Sequence, residues 1–193
     1  MCGYDNHRLK VLDGNNELVW EKASNISPGQ ILPLKYNQRC FNTNYQYAGA
    51  VVLDEALAYT LGCLHGDGCI NKRGFSISAH CIDVEILKSV AKNLDTIFGT
   101  NCTDRIKKKT GKRSNQYHLT KRHQKLTELF LYIPEIVCKS YYKRVPRLIL
   151  ESPESVQANY LKGYFDTDGS CGVLSENNCI SITSVSERSM YDV

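Results

Sequence analysis

Two short stretches of this 193-residue sequence carry the residue types best suited to chemistry. Residues 60–68 read TLGCLHGDG and residues 161–169 read LKGYFDTDG, so an apolar stretch with small residues ends twice in Asp-Gly, at Asp67 and at Asp168. A helix disfavours a carboxylate in its last turn, because that end of the helix dipole is already negative. Each stretch therefore predicts a cation at the end of its helix.

Small residues at matching positions predict that the two helices pack closely side by side. Gly62 and Gly66 lie four residues apart in the first stretch, and Gly163 and Thr167 occupy the matching positions in the second. Close packing lets the terminal carboxylates converge, and carboxylate and carbonyl oxygens suit Mg²⁺ or a similar divalent ion. Such an ion activates a water molecule and stabilises the leaving oxygen in phosphodiester hydrolysis. The alternative is a capped turn without a bound ion at each helix end.

Hydrophobic periodicity predicts the helices that position these carboxylates. Apolar residues at three- and four-residue spacing indicate a helix over residues 53–64, with Asp54 as N-cap and Gly68 ending it in the left-handed conformation. An amphipathic helix is predicted over residues 83–98, and a third helix over residues 155–165. The shorter predicted elements are strands at residues 8–12, 18–20, 30–34, 69–70, 75–78, 102–108, 115–120, 170–174 and 179–183, and helices at residues 122–132 and 134–140 and from residue 186.

The order of elements repeats along the chain. The two Asp-Gly pairs are 101 residues apart, and the passages from strand into helix at residues 75–78 and 180–183 are 105 residues apart. A repeat of this length and mixed α and β content predicts two pseudo-symmetric halves of one domain rather than a solenoid. The second copy reaches Val193 with its long helix barely begun, so the chain is expected to be incomplete.

Composition and charge narrow the class of protein. Apolar and charged fractions of 42% and 23% are typical of a globular chain, and no run of about 18 apolar residues predicts a membrane span. The nine Cys are scattered without a C-x-x-C pair, which indicates reduced thiols, an intracellular or cytoplasmic location and no zinc site. The net charge is +4, yet residues 101–150 hold 13 Lys or Arg against three acidic residues. This basic stretch is either a solvated loop or a phosphate-binding surface.

From residue 51 to residue 193 the sequence resembles the LAGLIDADG homing endonucleases, in particular the dodecapeptide (DOD) type found inside inteins. Residues 161–169 match the family motif closely, and residues 60–68 match it with His65 where an acidic residue is frequent. The resemblance implies an α+β fold of two αββαββα halves, the second truncated, whose sheets form a saddle over DNA. It implies a site-specific double-strand DNA endonuclease that uses Mg²⁺ or another divalent cation and is a monomer if complete.

The resemblance assigns roles to particular residues. The last acidic residue of each motif, here Asp67 and Asp168, binds the catalytic metal ions. A Lys-x-x-Pro segment often precedes the second motif, and here it places Lys143 near the active site, where it would polarise the attacking water or the phosphate. An ordinary surface lysine is the alternative. The residues expected to meet DNA are Lys72, Arg73, Arg105, Lys107, Lys109, Lys112, Arg113 and Lys121, with Gln116, Tyr117 and His118 as candidates for reading bases.

The first 35 residues resemble another part of an intein. Residues 4–11 and 20–31 are similar to the second conserved block of the splicing (Hint) domain, in which a His activates the peptide bond before the nucleophile. His7 matches that His, although Tyr4 stands where Thr is usual, and a strand His without a catalytic role is the alternative. Cys2 lies too close to His7 to be the first nucleophile, so this chain is not expected to splice. The expected segments are the remnant at 1–35, a linker at 36–50, the first LAGLIDADG half at 51–150 and the start of the second at 151–193.

Two further functions remain open at the level of sequence. The same fold serves non-catalytic nucleic-acid binders, such as an RNA maturase or a transcription regulator, and loss of an active-site carboxylate would favour that class. Asp67 and Asp168 are present, which favours the endonuclease. A decayed or truncated element without activity is the third possibility.

Overall fold

The structure is a computed structural model, and it divides the chain into two compact units, Met1–Cys40 and Phe41–Val193. His7 and Lys72, to which the sequence analysis gives functions, lie outside the residues that the structure describes. Within the described ranges, no helix is long and apolar enough to cross a membrane. Those ranges are residues 8–33, 41–71, 73–174 and 177–192.

The N-terminal unit contains a β-hairpin formed by the strands predicted at residues 8–12 and 18–20. β1 (Arg8–Leu12) pairs antiparallel with β2 (Leu18–Lys22). The Asp13 carboxylate accepts hydrogen bonds of 2.9 Å from the main-chain amides two and four residues further on, which fixes the turn. The strand expected over residues 30–34 is wrong for residues 30–33, which lie in irregular structure.

The second unit begins with a short hairpin and the first Asp-Gly helix. β3 (Tyr47–Ala48) pairs with β4 (Val51–Val52), and α1 (Glu55–Gly66) follows. The Asp54 carboxylate accepts a hydrogen bond of 2.8 Å from the Leu57 amide, so the predicted N-cap is confirmed. An amide of the first turn thereby gains the partner that the helix itself does not provide.

The end of α1 differs from the prediction. Asp67 caps the helix at φ −85° and ψ 0°, and Gly68 continues directly into a strand without the left-handed conformation that was expected. Glycine is needed there for a different reason, because a Cβ atom on Gly68 would lie 2.4 Å from the carbonyl oxygen of Leu64. The sharp turn from helix to strand thus depends on the absence of a side chain.

An antiparallel sheet and a helix complete this part of the unit. β5 (Gly68–Asn71), β6 (Gly74–His80), β7 (Lys107–Lys108) and β8 (Gln116–Lys121) lie in the order β5–β6–β8–β7. α2 (Val84–Phe98) packs its apolar stripe on one face of this sheet and on α1. The buried side chains of this layer include Leu57, Leu61, Leu64, Ile70, Phe75, Ile77, Leu87, Val90, Leu94 and Leu119.

The opposite face of the sheet is polar. Ile77 and Leu119 are buried partners on the α2 side, so the residues next to them in each strand face the other way. By the same alternation Tyr117 faces α2, whereas Gln116 and His118 face away from it. We call the side away from α2 the open face, and its residues are Cys69, Ser76, Ser78, His80, Lys107, Lys109, Gln116, His118 and Thr120.

One carboxylate holds the connection from α2 to β7. Asp95 accepts hydrogen bonds from the amides of Cys102 and Thr103 at 2.5 and 2.9 Å, and from the hydroxyls of Thr100 and Thr103 at 2.7 and 2.6 Å. Desolvation by itself would raise the pKa of Asp95, but these hydrogen bonds outweigh it and lower the pKa to about 2. The ionised carboxylate therefore stabilises the fold.

Replacing Asp95 with Asn is expected to lower the free energy of unfolding by about 1 to 2 kcal/mol at neutral pH, because the amide lacks the charge and solvent screens part of the effect. Since the folded-state pKa lies below the unfolded one, the stabilisation is complete above about pH 5 and is lost as the pH falls towards 2. Urea unfolding of the two proteins should show a gap that shrinks to about half at pH 3. A gap that stays constant with pH would rule out this role for the charge.

Short helical segments lead from the sheet to the second Asp-Gly helix. α3 (Gln124–Phe130) lies within the helix predicted over residues 122–132. The helix predicted over residues 134–140 is wrong, because the backbone leaves the helical region at Val137 and Lys139. Two 3-10 turns stand in that region, Pro134–Ile136 and Ser140–Tyr142, and α4 (Arg147–Leu150) follows.

The last part of the chain again runs helix, strand, strand, helix. α5 (Glu154–Asp168) ends at the second Asp-Gly pair, and β9 (Gly169–Leu174) pairs antiparallel with β10 (Asn177–Ile182). α6 (Glu187–Asp192) follows. The mixture of helix and strand agrees with the predicted α+β class.

Candidate active site at the paired helix ends

α1 and α5 pack against each other through a reciprocal pair of glycine contacts. A Cβ atom on Gly62 would lie 2.1 Å from the carbonyl oxygen of Tyr160, and one on Gly163 would lie 2.1 Å from the carbonyl oxygen of Tyr59. A side chain at either position would force the two backbones apart. The close approach predicted from the small residues is confirmed.

The same packing continues to the helix ends that carry the acidic residues. A Cβ atom on Gly66 would lie 2.1 Å from Thr167 Oγ1 and 3.2 Å from Asp168 Cγ. Asp67 follows α1 directly, and Asp168 is the last residue of α5. The structure therefore brings Asp67 and Asp168 to the same end of the helix pair.

The surroundings of Asp67 and Asp168 raise the pKa of both carboxyl groups. Desolvation raises the pKa of Asp67, the negative charge of Asp168 raises it further, and the positive charge of Lys143 opposes the increase. Desolvation also raises the pKa of Asp168, again opposed by Lys143. A cation placed between these residues would favour the ionised form of each acid.

The side chain of Lys143 lies at the end of α1. Its ammonium donates hydrogen bonds to the carbonyl oxygens of His65 at 2.5 Å, Gly68 at 3.0 Å and Leu64 at 3.3 Å, and the residue is 4% exposed. Burial lowers the pKa of this lysine, and nearby negative charge, first that of Asp168, opposes the decrease. An alkylammonium thus neutralises the negative end of the helix dipole, a role that the sequence analysis gave to a divalent ion.

His65 is buried beside this lysine. Its ring stacks on Tyr164 with centroids 4.3 Å apart, Nε2 lies 2.9 Å from Ser189 Oγ, and Nδ1 contacts the Tyr160 hydroxyl. Burial, and then the charge of Lys143, lower the pKa of His65 to about 4. The imidazole is therefore neutral at physiological pH. In the sequence, a His inside an apolar helical stripe is the one signal that marks this position.

The other acidic residue of the second motif has a different environment. Asp166 accepts a hydrogen bond of 2.8 Å from the Tyr59 hydroxyl and is exposed. It lines an open surface cavity with Lys162 and Asn93, whereas Asp168 lines another cavity with His65 and Lys143. In the part of the chain that the structure describes, no group of three or more His, Cys, Asp or Glu side chains is placed to hold a metal ion.

The basic residues assigned to DNA binding lie in different environments. Lys107 and Lys109 belong to the open face, where the Lys109 ammonium donates to Gln116 Oε1 at 3.2 Å. The Lys121 ammonium instead donates to Asn101 Oδ1 at 2.5 Å. The residues that are exposed in turns bordering the sheet are Arg73, Arg105, Lys112 and Arg113.

Comparison with known proteins bears on the part of the chain that carries Asp168. Residues 155–193 match the family model of the LAGLIDADG-like domain. This match takes in almost all of α5 together with β9, β10 and α6. The matched residues therefore include Asp168 and do not extend to Asp67.

A curated relative covers more of the chain. An uncharacterized protein of Methanocaldococcus jannaschii is 27% identical over 128 residues. The aligned region is 65% of this chain and 45% of that protein, so the chain spans less than half the length of this relative.

Proposed function

We propose that this chain is a site-specific, divalent-metal-dependent endonuclease that hydrolyses phosphodiester bonds of double-stranded DNA. The observation that carries the proposal is the convergence of Asp67 and Asp168 at one end of a closely packed helix pair. The LAGLIDADG-like match supports nucleic acid as the substrate class. A pseudo-twofold arrangement of αββαββα halves, with α1 and α5 at its centre, belongs to the same proposal.

The residues at the helix ends fit Mg²⁺ by the chemistry of their donor atoms. Asp67 and Asp168 would hold the ion through carboxylate oxygens, which are ligands that Mg²⁺ prefers. The raised pKa of each acid indicates that these carboxylates would gain from a nearby cation. When bound, the ion would supply a Lewis acid for the phosphate and a more acidic water molecule.

In this proposal, Lys143 acts through the effect of its charge on the carboxylates of Asp67 and Asp168. Its ammonium protons are directed at carbonyl oxygens at the end of α1 and the start of β5, so they are not free to activate water. Its charge opposes the increase in the pKa of Asp67 and of Asp168. Lys143 therefore favours the ionised form of these acids, which is the form that binds a cation.

The proposed DNA surface is the open face together with its bordering turns. Gln116 and His118 supply donors and acceptors for base edges, and Lys107 and Lys109 supply charge for phosphates. More specifically, we propose that the chain is an intracellular intein endonuclease of the DOD type, with residues 1–35 as a splicing-domain remnant. The sequence resemblance supports this more specific proposal.

Incubation of the full chain with a library of duplex DNA sequences tests the proposed function. We expect cleaved ends that share a sequence, appear with Mg²⁺ and disappear when EDTA is added. DNA that is bound but never cut would favour a non-catalytic binder, such as a maturase or regulator. Absence of binding and of cleavage would overturn the proposal for this chain.

Replacing Lys107 and Lys109 together with Ala is expected to reduce the salt dependence of DNA binding. Each phosphate contact contributes about 0.9 to the slope of log K against log salt, so the slope should fall by up to about 2. Titration of fluorescent duplex DNA at several salt concentrations, with Ca²⁺ in place of Mg²⁺, measures this slope.

The matched control replaces Lys88 and Lys92 with Ala. These lysines are exposed on α2, which covers the opposite face of the sheet, and their loss changes the net charge equally. We expect the control to retain the slope of the unmodified chain. If the two double variants lower the slope equally, the open face is not the DNA surface.

A further inference from the structure

A buried chain of hydrogen bonds joins α1, α5 and α6 to the main chain of Lys143. The carbonyl oxygen of Lys143 accepts hydrogen bonds from Ser186 Oγ at 2.6 Å and from Ser189 Oγ at 2.8 Å. Ser189 Oγ lies 2.9 Å from His65 Nε2, and His65 Nδ1 contacts the Tyr160 hydroxyl. His65, Ser186, Ser189 and Tyr160 are at most 2% exposed, so water does not replace these partners.

The donor and the acceptor of each hydrogen bond in this series can be assigned by starting from the Lys143 carbonyl. The Lys143 carbonyl has no proton to give, so Ser189 uses its single hydroxyl proton to donate to it. The Ser189 oxygen must then accept from His65, which assigns the imidazole proton to Nε2. Nδ1 is left as an acceptor for the Tyr160 hydroxyl. A neutral imidazole that accepts on one nitrogen and donates on the other completes this arrangement.

His65 also contacts the other end of the same lysine. Its main-chain carbonyl oxygen accepts the shortest of the hydrogen bonds from the Lys143 ammonium, at 2.5 Å. One residue of α1 therefore holds Lys143 at the ammonium directly and at the main chain through Ser189. The carboxylate that this lysine influences, Asp67, lies two residues further along the chain.

We propose that His65 is a positioning residue, which fixes the Lys143 ammonium beside the paired carboxylates through the Tyr160–His65–Ser189 hydrogen-bond chain. Its effect on cleavage rests on the proposed function, but its effect on Lys143 does not. The arrangement makes α6 part of the site, because Ser189 is the link between the imidazole and the lysine. If His65 only filled space in the core, an apolar side chain of similar size would serve in its place, whereas the hydrogen-bond chain requires a donor and an acceptor.

The test compares His65→Leu, His65→Gln and Ser189→Ala in the full chain. Leucine removes donor and acceptor, glutamine keeps one of each, and Ser189→Ala breaks the link while removing a single oxygen. Ser152→Ala is the matched control, because Ser152 is an equally buried serine whose hydroxyl donates to the Leu148 carbonyl, away from this chain. The first measurement is the ¹H–¹⁵N signal of the Lys143 ammonium, assigned with Lys143→Arg, and the second is single-turnover cleavage of duplex DNA.

In His65→Leu and Ser189→Ala we expect the ammonium signal to shift or broaden and cleavage to slow about 10- to 100-fold, as is found when a partner that orients an active-site group is lost. His65→Gln and Ser152→Ala should retain the signal and a rate within about threefold of the unmodified chain. Circular dichroism verifies that each variant is folded, and Ser189→Ala keeps the test decisive if His65→Leu does not fold.

Two results would overturn the positioning role. One is an ammonium signal that is unchanged in Ser189→Ala and in folded His65→Leu. The other is a His65→Gln protein that behaves like His65→Leu, because packing rather than hydrogen bonding would then explain the effect. If the signal moves as expected while the unmodified chain cuts no DNA, the proposed function fails and the positioning of Lys143 stands.

Discussion

Replacing Asp67 or Asp168 with Asn is expected to slow metal-dependent cleavage severely while leaving DNA binding largely intact. Asparagine has nearly the same shape but lacks the negative charge that would hold Mg²⁺. We expect the cleavage rate to fall by about 10²- to 10³-fold, which is the usual effect of removing one electrostatic group from a reaction centre. Single-turnover cleavage with Mg²⁺ and equilibrium binding with Ca²⁺ measure the two quantities separately.

Asp166→Asn is the matched control for this prediction. Asp166 lies two residues before Asp168 on the same helix, and its carboxylate is paired with the Tyr59 hydroxyl. We expect this variant to cut DNA at nearly the unmodified rate. Because desolvation raises the pKa of Asp67 and of Asp168, their Asn variants should also be at least as stable as the unmodified chain near neutral pH. Full cleavage activity in Asp67→Asn or in Asp168→Asn would show that the paired acids are not the metal ligands.

Gly62→Ala and Gly163→Ala are each expected to destabilise the fold by about 3 kcal/mol or more, at the upper end of the range for overpacking. The added methyl group would lie 2.1 Å from a carbonyl oxygen of the facing helix, and a backbone atom cannot rotate away as a side chain can. In an exposed helix the same substitution would stabilise by about 1 kcal/mol, so the sign of the effect is diagnostic. Urea unfolding midpoints provide the measurement.

Gly66→Ala gives a graded comparison on the same face of α1. The nearest atom there is the side-chain hydroxyl of Thr167, which has other rotamers available at the cost of its hydrogen bonds to the Gly163 and Tyr164 carbonyls. We expect a smaller loss of stability than for Gly62→Ala. Equal stability of all three variants and the unmodified chain would contradict the close approach of the two helices.

The sequence predicted the features that depend on helical and strand periodicity. The positions of Gly62 and Gly163 indicated the helix contact, and Asp54 marked the start of α1, because each signal lies within one turn of the element it describes. The face of the sheet on which Gln116, Tyr117 and His118 lie could be assigned only from the observed pairing of β8 with β6. An alternating strand by itself can be placed with either set of side chains towards the helices.

The polar connections at the site could not be predicted in the same way. The Lys143 ammonium reaches carbonyl oxygens 75 to 79 residues earlier in the chain, and His65 contacts a serine 124 residues later. Such contacts depend on how the irregular segment around Lys143 folds back on α1, for which sequence periodicity provides no information. The Lys-x-x-Pro resemblance placed Lys143 near the site but did not predict that its ammonium would cap a helix.

The prediction for Gly68 failed for a related reason. A glycine after a helix commonly signals a left-handed cap, yet here the strand begins at once and the missing side chain makes room for the Leu64 carbonyl oxygen. The residue type was informative, but two different physical requirements lead to the same amino acid.

The reciprocal contact between α1 and α5 has a consequence for the acids at the helix ends. Gly62 meets the carbonyl oxygen of Tyr160 as Gly163 meets that of Tyr59, so the spacing of the two helices depends on both glycines. The seam between the helices is also where the two acids meet. A change that separates α1 from α5 would also separate Asp67 from Asp168. The site is therefore intact only while the contact between the two helices is intact.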